Sequence, residues 1–131
     1  MSGKRPRSYL LVLQVKDNLR VKVGSLGWIK FEKGIYTYVG SAKRGIESRL
    51  KRHLRKRKVK HWHIDYLLEK ASIVSIWVSS LEEKDLVEKI SSHLEFYARG
   101  FGASDSTAPS HLFKGKPVFL FNSSAVWPWS I

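Results

Sequence analysis

The sequence predicts one α/β domain of the α+β type, a small and mainly antiparallel sheet flanked by helices, and three observations lead there. Apolar residues recur with a period of two before Gly40 and a period of 3.6 after it. Short runs early in the chain are separated by turn-forming pairs, which suits hairpins rather than crossovers. The 131 residues contain no repeat, low-complexity segment or linker, and a chain of this length supports one ordinary core.

The elements follow in order. Residues 1–7 form a basic tail with Lys4, Arg5 and Arg7, where Gly3 and Pro6 offer nothing to pack, so a flexible segment is expected ahead of a domain over 8–131. Tyr9 to Val15 reads as a strand, Asp17-Asn18 as a turn, and Arg20 to Val23 and Gly27 to Phe31 as the arms of an extra hairpin. Lys33-Gly34 turns the chain into a further strand, Ile35 to Gly40, and these four strands are expected to form an antiparallel meander. A basic helix is predicted from near Gly45, with Ile46, Leu50 and Leu54 on its inward face. A second helix covers Trp62 to Glu69, and a buried strand covers Ser72 to Val78. Leu86, Val87, Ile90, Leu94 and Tyr97 mark a long helix after Leu81 that stops at Gly100. Gly102 to Ser110 is a loop, and Val118 to Phe121 returns as an edge strand.

Composition narrows the chemistry. The absence of cysteine excludes disulfides, a thiolate nucleophile, iron–sulfur clusters and Cys-based zinc sites, leaving His and carboxylates as metal ligands. The apolar run at Tyr9 to Leu13 breaks at Gln14 and Lys16, so it is neither a leader nor a membrane span, and a cytoplasmic location without membrane contact is expected. The net charge is +13, and ten cations lie between Lys43 and Lys60 against the single acid Glu47. Lys43, Arg44, Lys51, Arg52, Arg55, Lys56, Arg57, Lys58 and Lys60 make this segment the expected nucleic-acid-binding patch, since anionic partners relieve such self-repulsion.

Several residues break the apolar pattern. Arg49 and His53 share the inward stripe of the basic helix, where Leu or Val would be ordinary. Tyr36 and Tyr38 project from one face of their strand. Glu83 continues the stripe of Leu86 and Ile90, although Ser80 and Glu83 also fit a capping box. His61 and Asp65, four apart, could share a metal, or they could be an exposed histidine beside a hydrogen-bonded carboxylate.

Taken together, Tyr38-Val39-Gly40-Ser41-Ala42, Arg49-Leu50-Lys51-Arg52-His53-Leu54, His61 to Leu68, Gly100-Phe101-Gly102 with Ser104-Asp105, and Ser110-His111-Leu112-Phe113 resemble the GIY-YIG nuclease superfamily, in the branch known as domain of unknown function 123. The resemblance runs over residues 8 to 113. The literal Gly34-Ile35-Tyr36 is misleading, because Tyr36 shares a strand with Tyr38; the first motif is matched by Arg7-Ser8-Tyr9. The chain departs from the branch at Arg7, where a glycine is usual, and at Ala103, Ser106 and Ala108, where cysteines are common.

The resemblance implies catalytic roles for Tyr9, Tyr38, Arg49, His53 and Glu83, with Glu83 holding Mg²⁺ or Mn²⁺ and Glu88 as its substitute. It implies metal-dependent hydrolysis of phosphodiester bonds in DNA. A phenol would take a proton from water once Arg49 or Lys43 lowered its pKa, Arg49 would clamp phosphoryl oxygens, and His53 would orient the water or a tyrosine. Two alternatives stand beside it: a nucleic-acid-binding module without catalysis, and a protein-interaction domain using Trp127-Pro128-Trp129, a segment that could instead fold back over the core.

Overall fold

A computed structural model of the protein describes residues 5–103 and 106–130. Most of the predicted tail, Met1 to Lys4, and the pair Ser104-Asp105 lie outside the described residues, as does Ile131. A six-stranded antiparallel sheet organises the rest. Its strands are β1 (Ser8–Val15), β4 (Gly34–Ser41), β5 (Ser72–Ser79), β6 (Glu95–Phe96), β7 (Leu112–Lys114) and β8 (Val126–Pro128), in the order β6-β7-β4-β1-β5-β8. The two short strands take the edges, which limits the unpaired backbone open to other chains. No helix among the described residues is long and apolar enough to cross a membrane.

The near-continuous apolar run of β1 follows from its central place, with neighbours on both sides and both faces covered. Tyr9, Leu11, Leu13 and Val15 face one core together with Tyr36, Tyr38 and Val78. Leu10 and Val12 face a second core with Val39 and Phe113. Helices α1 (Ile46–Leu54) and α2 (His63–Leu68) cover the first face through Leu50, Ile64 and Leu67. Helix α3 (Glu83–Ser91) covers the second through Leu86, Val87 and Ile90. Each such fully buried aliphatic side chain contributes about 1.5–3 kcal/mol relative to exposure.

Five expectations need correction. The first four strands are not a meander: β1 pairs with β4 and β5, while β2 (Leu19–Lys22) and β3 (Trp28–Phe31) form a separate two-stranded sheet. Asn18 does not close a hairpin; its Oδ1 accepts the Lys33 N–H at 2.7 Å and staples the two ends of the insertion together. Helix α3 stops at Ser91 instead of reaching Gly100, because Glu95 and Phe96 leave the helix to pair with β7, taking Tyr97 with them. Its N-cap is Glu82, so the Ser80–Glu83 capping box does not form; the Ser80 N–H donates to the Ala125 carbonyl instead. Finally, Val118–Leu120 is a 3-10 turn after Pro117, and the returning edge strand is β8.

Two smaller points follow from geometry. Leu54 is 37% exposed at the end of α1, and His53 takes the buried position beside Leu50. The register of β5 against β1 slips between Val12 and Leu13, leaving Val74 unpaired in a bulge and turned outward. The Trp127–Trp129 segment folds back over the core, with Trp127 opposite Val78 and the Trp129 N–H donating to the Ile76 carbonyl. Arg7 is joined to the sheet margin, its N–H donating to the Ser79 carbonyl.

Gly40 has a specific steric role. It sits opposite Tyr9 in the β1–β4 register, and a Cβ there would overlap the Tyr9 ring atoms Cζ, Oη and Cε1. The ring lies across the glycine to reach α1. Gly40→Ala should therefore lower stability by about 1–3 kcal/mol in urea unfolding, the usual penalty of overpacking. In a double-mutant cycle the penalty should shrink once Tyr9→Ala has removed the ring; an unchanged penalty would refute the steric account.

Candidate functional site

The site begins with backbone geometry. Tyr9 crosses Gly40 and places its Oη 2.6 Å from His53 Nε2 on α1. Burial pushes the Tyr9 phenol well above its ordinary pKa, with the Arg49 guanidinium beside it opposing the rise. Burial also pushes His53 down to about 4, and the positive Lys58 adds to this. Both groups are thus neutral near pH 7, and the phenol O–H donates to Nε2, leaving the imidazole proton on Nδ1. His53 Nδ1 is buried without a hydrogen-bond partner.

Above this pair opens a cleft of ≈ 280 Å³. Its floor is Tyr38 and Gly40 of β4; its walls are Arg49 of α1, His61 to His63 at the start of α2, Glu83 at the start of α3, and Gly102, Ser106 and His111. Five separate chain segments therefore converge on one hollow. Phe101 plugs the space under the loop, edge-on to Tyr38 at 6.2 Å between ring centroids. Gly102 has a φ of 66°, and a Cβ there would come within 3.0 Å of Tyr38 Cε1, so glycine keeps the mouth clear. Its N–H donates to His63 Nδ1 at 2.8 Å, which fixes that ring with its proton on Nε2, facing away from the loop.

Trp62 is positioned by a buried carboxylate. Asp65 accepts from both Arg52 amino groups, at 2.7 and 2.8 Å, and from the His61 and Trp62 N–H groups at 2.8 and 2.9 Å. Burial alone would raise the Asp65 pKa, but Arg52 and these two N–H groups outweigh it and hold the carboxyl at about 2. The Trp62 ring is then sandwiched by guanidinium groups, Arg49 at 4.6 Å and Arg52 at 4.3 Å from its centroid. This corrects the idea that His61 and Asp65 share a metal: the Asp65 side chain is inaccessible and its oxygens are occupied.

Of the predicted catalytic residues, Tyr38, Arg49 and Glu83 line the cleft together, while Tyr9 and His53 support it from beneath. Glu88 is exposed on the outer side of α3, away from the cleft. Arg49 acts on both phenols in the expected direction, but burial outweighs it. Tyr38 is raised well above its ordinary value by burial, then by Tyr9 and Glu83, and Arg49 opposes without prevailing. Lys43 is exposed outside the cleft lining.

The basic segment divides in two. Arg52 is bound inward, and Lys58 donates to the Arg52 and His53 carbonyls at 2.9 Å, closing the C-terminal end of α1. Lys43, Arg44, Lys51, Arg55, Lys56, Arg57 and Lys60 remain exposed. Lys60 forms an ion pair with Glu69 at 3.1 Å.

His111 is the cleft residue to which the sequence assigned no role. It is buried, and its Nδ1 lies 3.2 Å from Glu83 Oε2 without the alignment of a hydrogen bond. Its nearest signal was its place in the Ser110-His111-Leu112-Phe113 motif.

A divalent cation can be tested against these donors. Among the described residues no group of three His or carboxylate ligands forms a cage. Glu83, at 32% side-chain exposure, offers one hard oxygen donor in an open cleft, with an unpartnered buried imidazole behind it. That set fits Mg²⁺ or Mn²⁺ retaining most of its waters, and does not fit a tightly caged ion.

The buried imidazole makes stability pH-dependent. With His53 near 4 when folded and about 6.5 when unfolded, the unfolded chain binds the extra proton between these values. Stability should thus fall by up to about 3 kcal/mol as pH drops from 6.5 to 4, with Asp65 adding to the loss below pH 4. Urea midpoints measured from pH 7.5 to 4.5 should show this slope, and His53→Gln should flatten it. An equal slope in the variant would assign the effect elsewhere.

No curated protein and no solved structure matches the chain. One family model does, over residues 8–124, reaching from the first residue of β1 past the 3-10 turn and taking in every wall of the cleft. The chain belongs to that family, the domain of unknown function DUF123.

Proposed function

We propose that this protein is a GIY-YIG-type endonuclease that hydrolyses phosphodiester bonds in DNA with the help of Mg²⁺ or Mn²⁺. The observation that carries this reading is the meeting of Tyr38, Arg49 and Glu83 in one cleft beside an exposed run of cations. These three residues come from a strand and two helices far apart in sequence, and the superfamily resemblance singles them out on motif grounds alone. A phosphodiester needs an anion clamp, a group to handle the proton of water, and a carboxylate for a hard cation, and the cleft offers one of each.

Arg49 holds the non-bridging phosphoryl oxygens, its guanidinium kept over the cleft by stacking on Trp62. Glu83 would hold the ion, and His111 behind its carboxylate limits where that carboxylate can swing. When bound, the ion supplies positive charge against the anion developing at phosphorus and against the Glu83 carboxylate. The Glu83 charge is one of the influences that keep the Tyr38 proton in place, and Arg49 is the opposing one. Tyr38 can take the proton of the attacking water at its phenol oxygen only after its own proton has passed to solvent, a loss that burial opposes, that Arg49 favours and that an ion on Glu83 would favour by offsetting the carboxylate charge. Tyr9 and His53 act as positioning residues, holding Gly40 and α1 so that Tyr38 and Arg49 share one opening.

A second reading, nucleic-acid binding without hydrolysis, draws on the same burial that raises both phenols. A cleavage panel on branched, single-stranded and duplex DNA with Mg²⁺ or Mn²⁺ separates the two. Tyr38→Phe and Arg49→Ala should each reduce turnover about a hundredfold or more, and Glu83→Gln should bring it to background with binding retained. Binding without turnover by the wild type on every substrate would replace the first reading with the second. Turnover unchanged in all three variants would refute both the site and the mechanism.

A further inference from the structure

The β2–β3 hairpin carries a surface that neither the cleft nor the core uses. In its register Arg20 opposes Lys30 and Lys22 opposes Trp28, so all four side chains project from one face. These are the exposed positions of both strands, and the alternate positions Val21 and Phe31 are buried in the core. Trp28 is 62% exposed, although Val21, Val23 and Phe31 already fix the hairpin to the sheet. Its packing contribution is therefore small.

A lone exposed tryptophan would need no explanation, but this one stands among cations beside a groove. The Arg20 guanidinium lies 5.7 Å from its ring centroid. Between hairpin and α2 runs a groove of ≈ 520 Å³ that holds both Trp28 and Tyr66, with Lys60, Lys70 and the Lys60 partner Glu69 on its wall. Lys60 Nζ sits 5.6 Å from the Tyr66 centroid, and Lys60 ends the basic run that follows α1. Two aromatic faces and a group of cations, of which Glu69 engages Lys60, are the parts of a single-strand platform: bases stack on rings and phosphates meet the charge.

We propose that the outward face of the hairpin binds a single strand of nucleic acid, with a base stacked on Trp28 and phosphates held by Arg20 and Lys22. A duplex presents phosphates and sugars to a protruding indole, whereas an unpaired base presents a π-face. A protein partner fits less well, since interface cores are depleted of charge and this indole is ringed by it. This deepens the proposed function and rests on that reading's choice of a nucleic-acid partner, though not on hydrolysis.

The test is equilibrium binding of the full chain to a fluorescein-labelled oligothymidylate of about twelve nucleotides, at low salt in EDTA. Trp28→Ala should weaken binding by about 5- to 100-fold, and Trp28→Phe should recover most of the loss. Tryptophan emission should be quenched on binding, more in the wild type than in Trp28→Phe. Arg20→Ala and Lys22→Ala should each reduce the slope of log K against log salt by about 0.7. A duplex of equal length should lose less than twofold in Trp28→Ala. Wild-type affinity for the oligothymidylate in Trp28→Ala, an equal loss for the duplex, or no binding by the wild type would each overturn the proposal. Trp28→Phe, folded and carrying the same charges, keeps the comparison decisive if the alanine variant unfolds. Trp28-dependent binding in a wild type that cleaves nothing would refute hydrolysis and leave this platform standing.

Discussion

The structure depends on one aromatic ring lying across one glycine. Tyr9 can reach His53 only because Gly40, its partner on the next strand, has no side chain in the way. That contact joins the central strand to the basic helix and sets where the helix sits over the sheet. Arg49 is one turn before His53 on the same helix face, so the Tyr9–His53 contact also fixes the reach of Arg49 over Tyr38. Both partners are desolvated and neutral, so they can be buried without the large penalty that an unpaired charge would bring.

The second level of organisation is electrostatic and works from the inside outward. Asp65 is the carboxylate on which this wall of the cleft turns, and two backbone N–H groups and one guanidinium converge on it. Removing Asp65 would free Arg52, loosen the turn at His61-Trp62, and release the indole that stacks on Arg49. Lys58 performs a related task at the end of α1, where its ammonium meets the His53 carbonyl and the Arg52 carbonyl, the latter also accepting the Arg55 N–H. Thus two cations in a run of ten build the scaffold, while the exposed ones define its outer surface.

Sequence patterns picked out residues that line or support the cleft better than they revealed the topology, and the reason is physical. Arg49, His53 and Glu83 stood out because each broke an apolar stripe, and a polar group on an inward face requires a partner. The structure supplies a tyrosine for His53, an indole for Arg49 and an imidazole for Glu83. Strand neighbours carry no such local signature. The pairing of β1 with β4 across the hairpin insertion is set by the two faces of β1, both of which must be covered. The early stop of α3 was hidden because Leu94 extends the apolar stripe, yet Phe96 packs tilted against Phe113 in the sheet and draws the chain out of the helix. His111 was missed because a single histidine in a strand-like motif breaks no pattern; its importance lies in the proximity of Glu83, which only the fold creates.

The distribution of charge also constrains what the surface is for. The exposed ion pairs Arg7–Glu82, Lys60–Glu69 and Lys114–Glu32 sit in water, where such pairs are screened and do little to offset the repulsion of a net +13. The excess therefore does not serve the isolated fold. It is arranged along two aromatic surfaces, one where Arg49 and Arg52 enclose Trp62 and one where Arg20 flanks Trp28, and Lys60 lies at the groove between hairpin and α2. Cations beside flat rings suit a partner with both phosphate and base, whereas an anionic lipid surface would use the charge and leave the rings without a function. On that ground the proposed nucleic-acid partner would meet the cleft and the hairpin as parts of one track, with the proposed hydrolysis placed at the cleft, where Glu83 lines the same hollow as Tyr38 and Arg49.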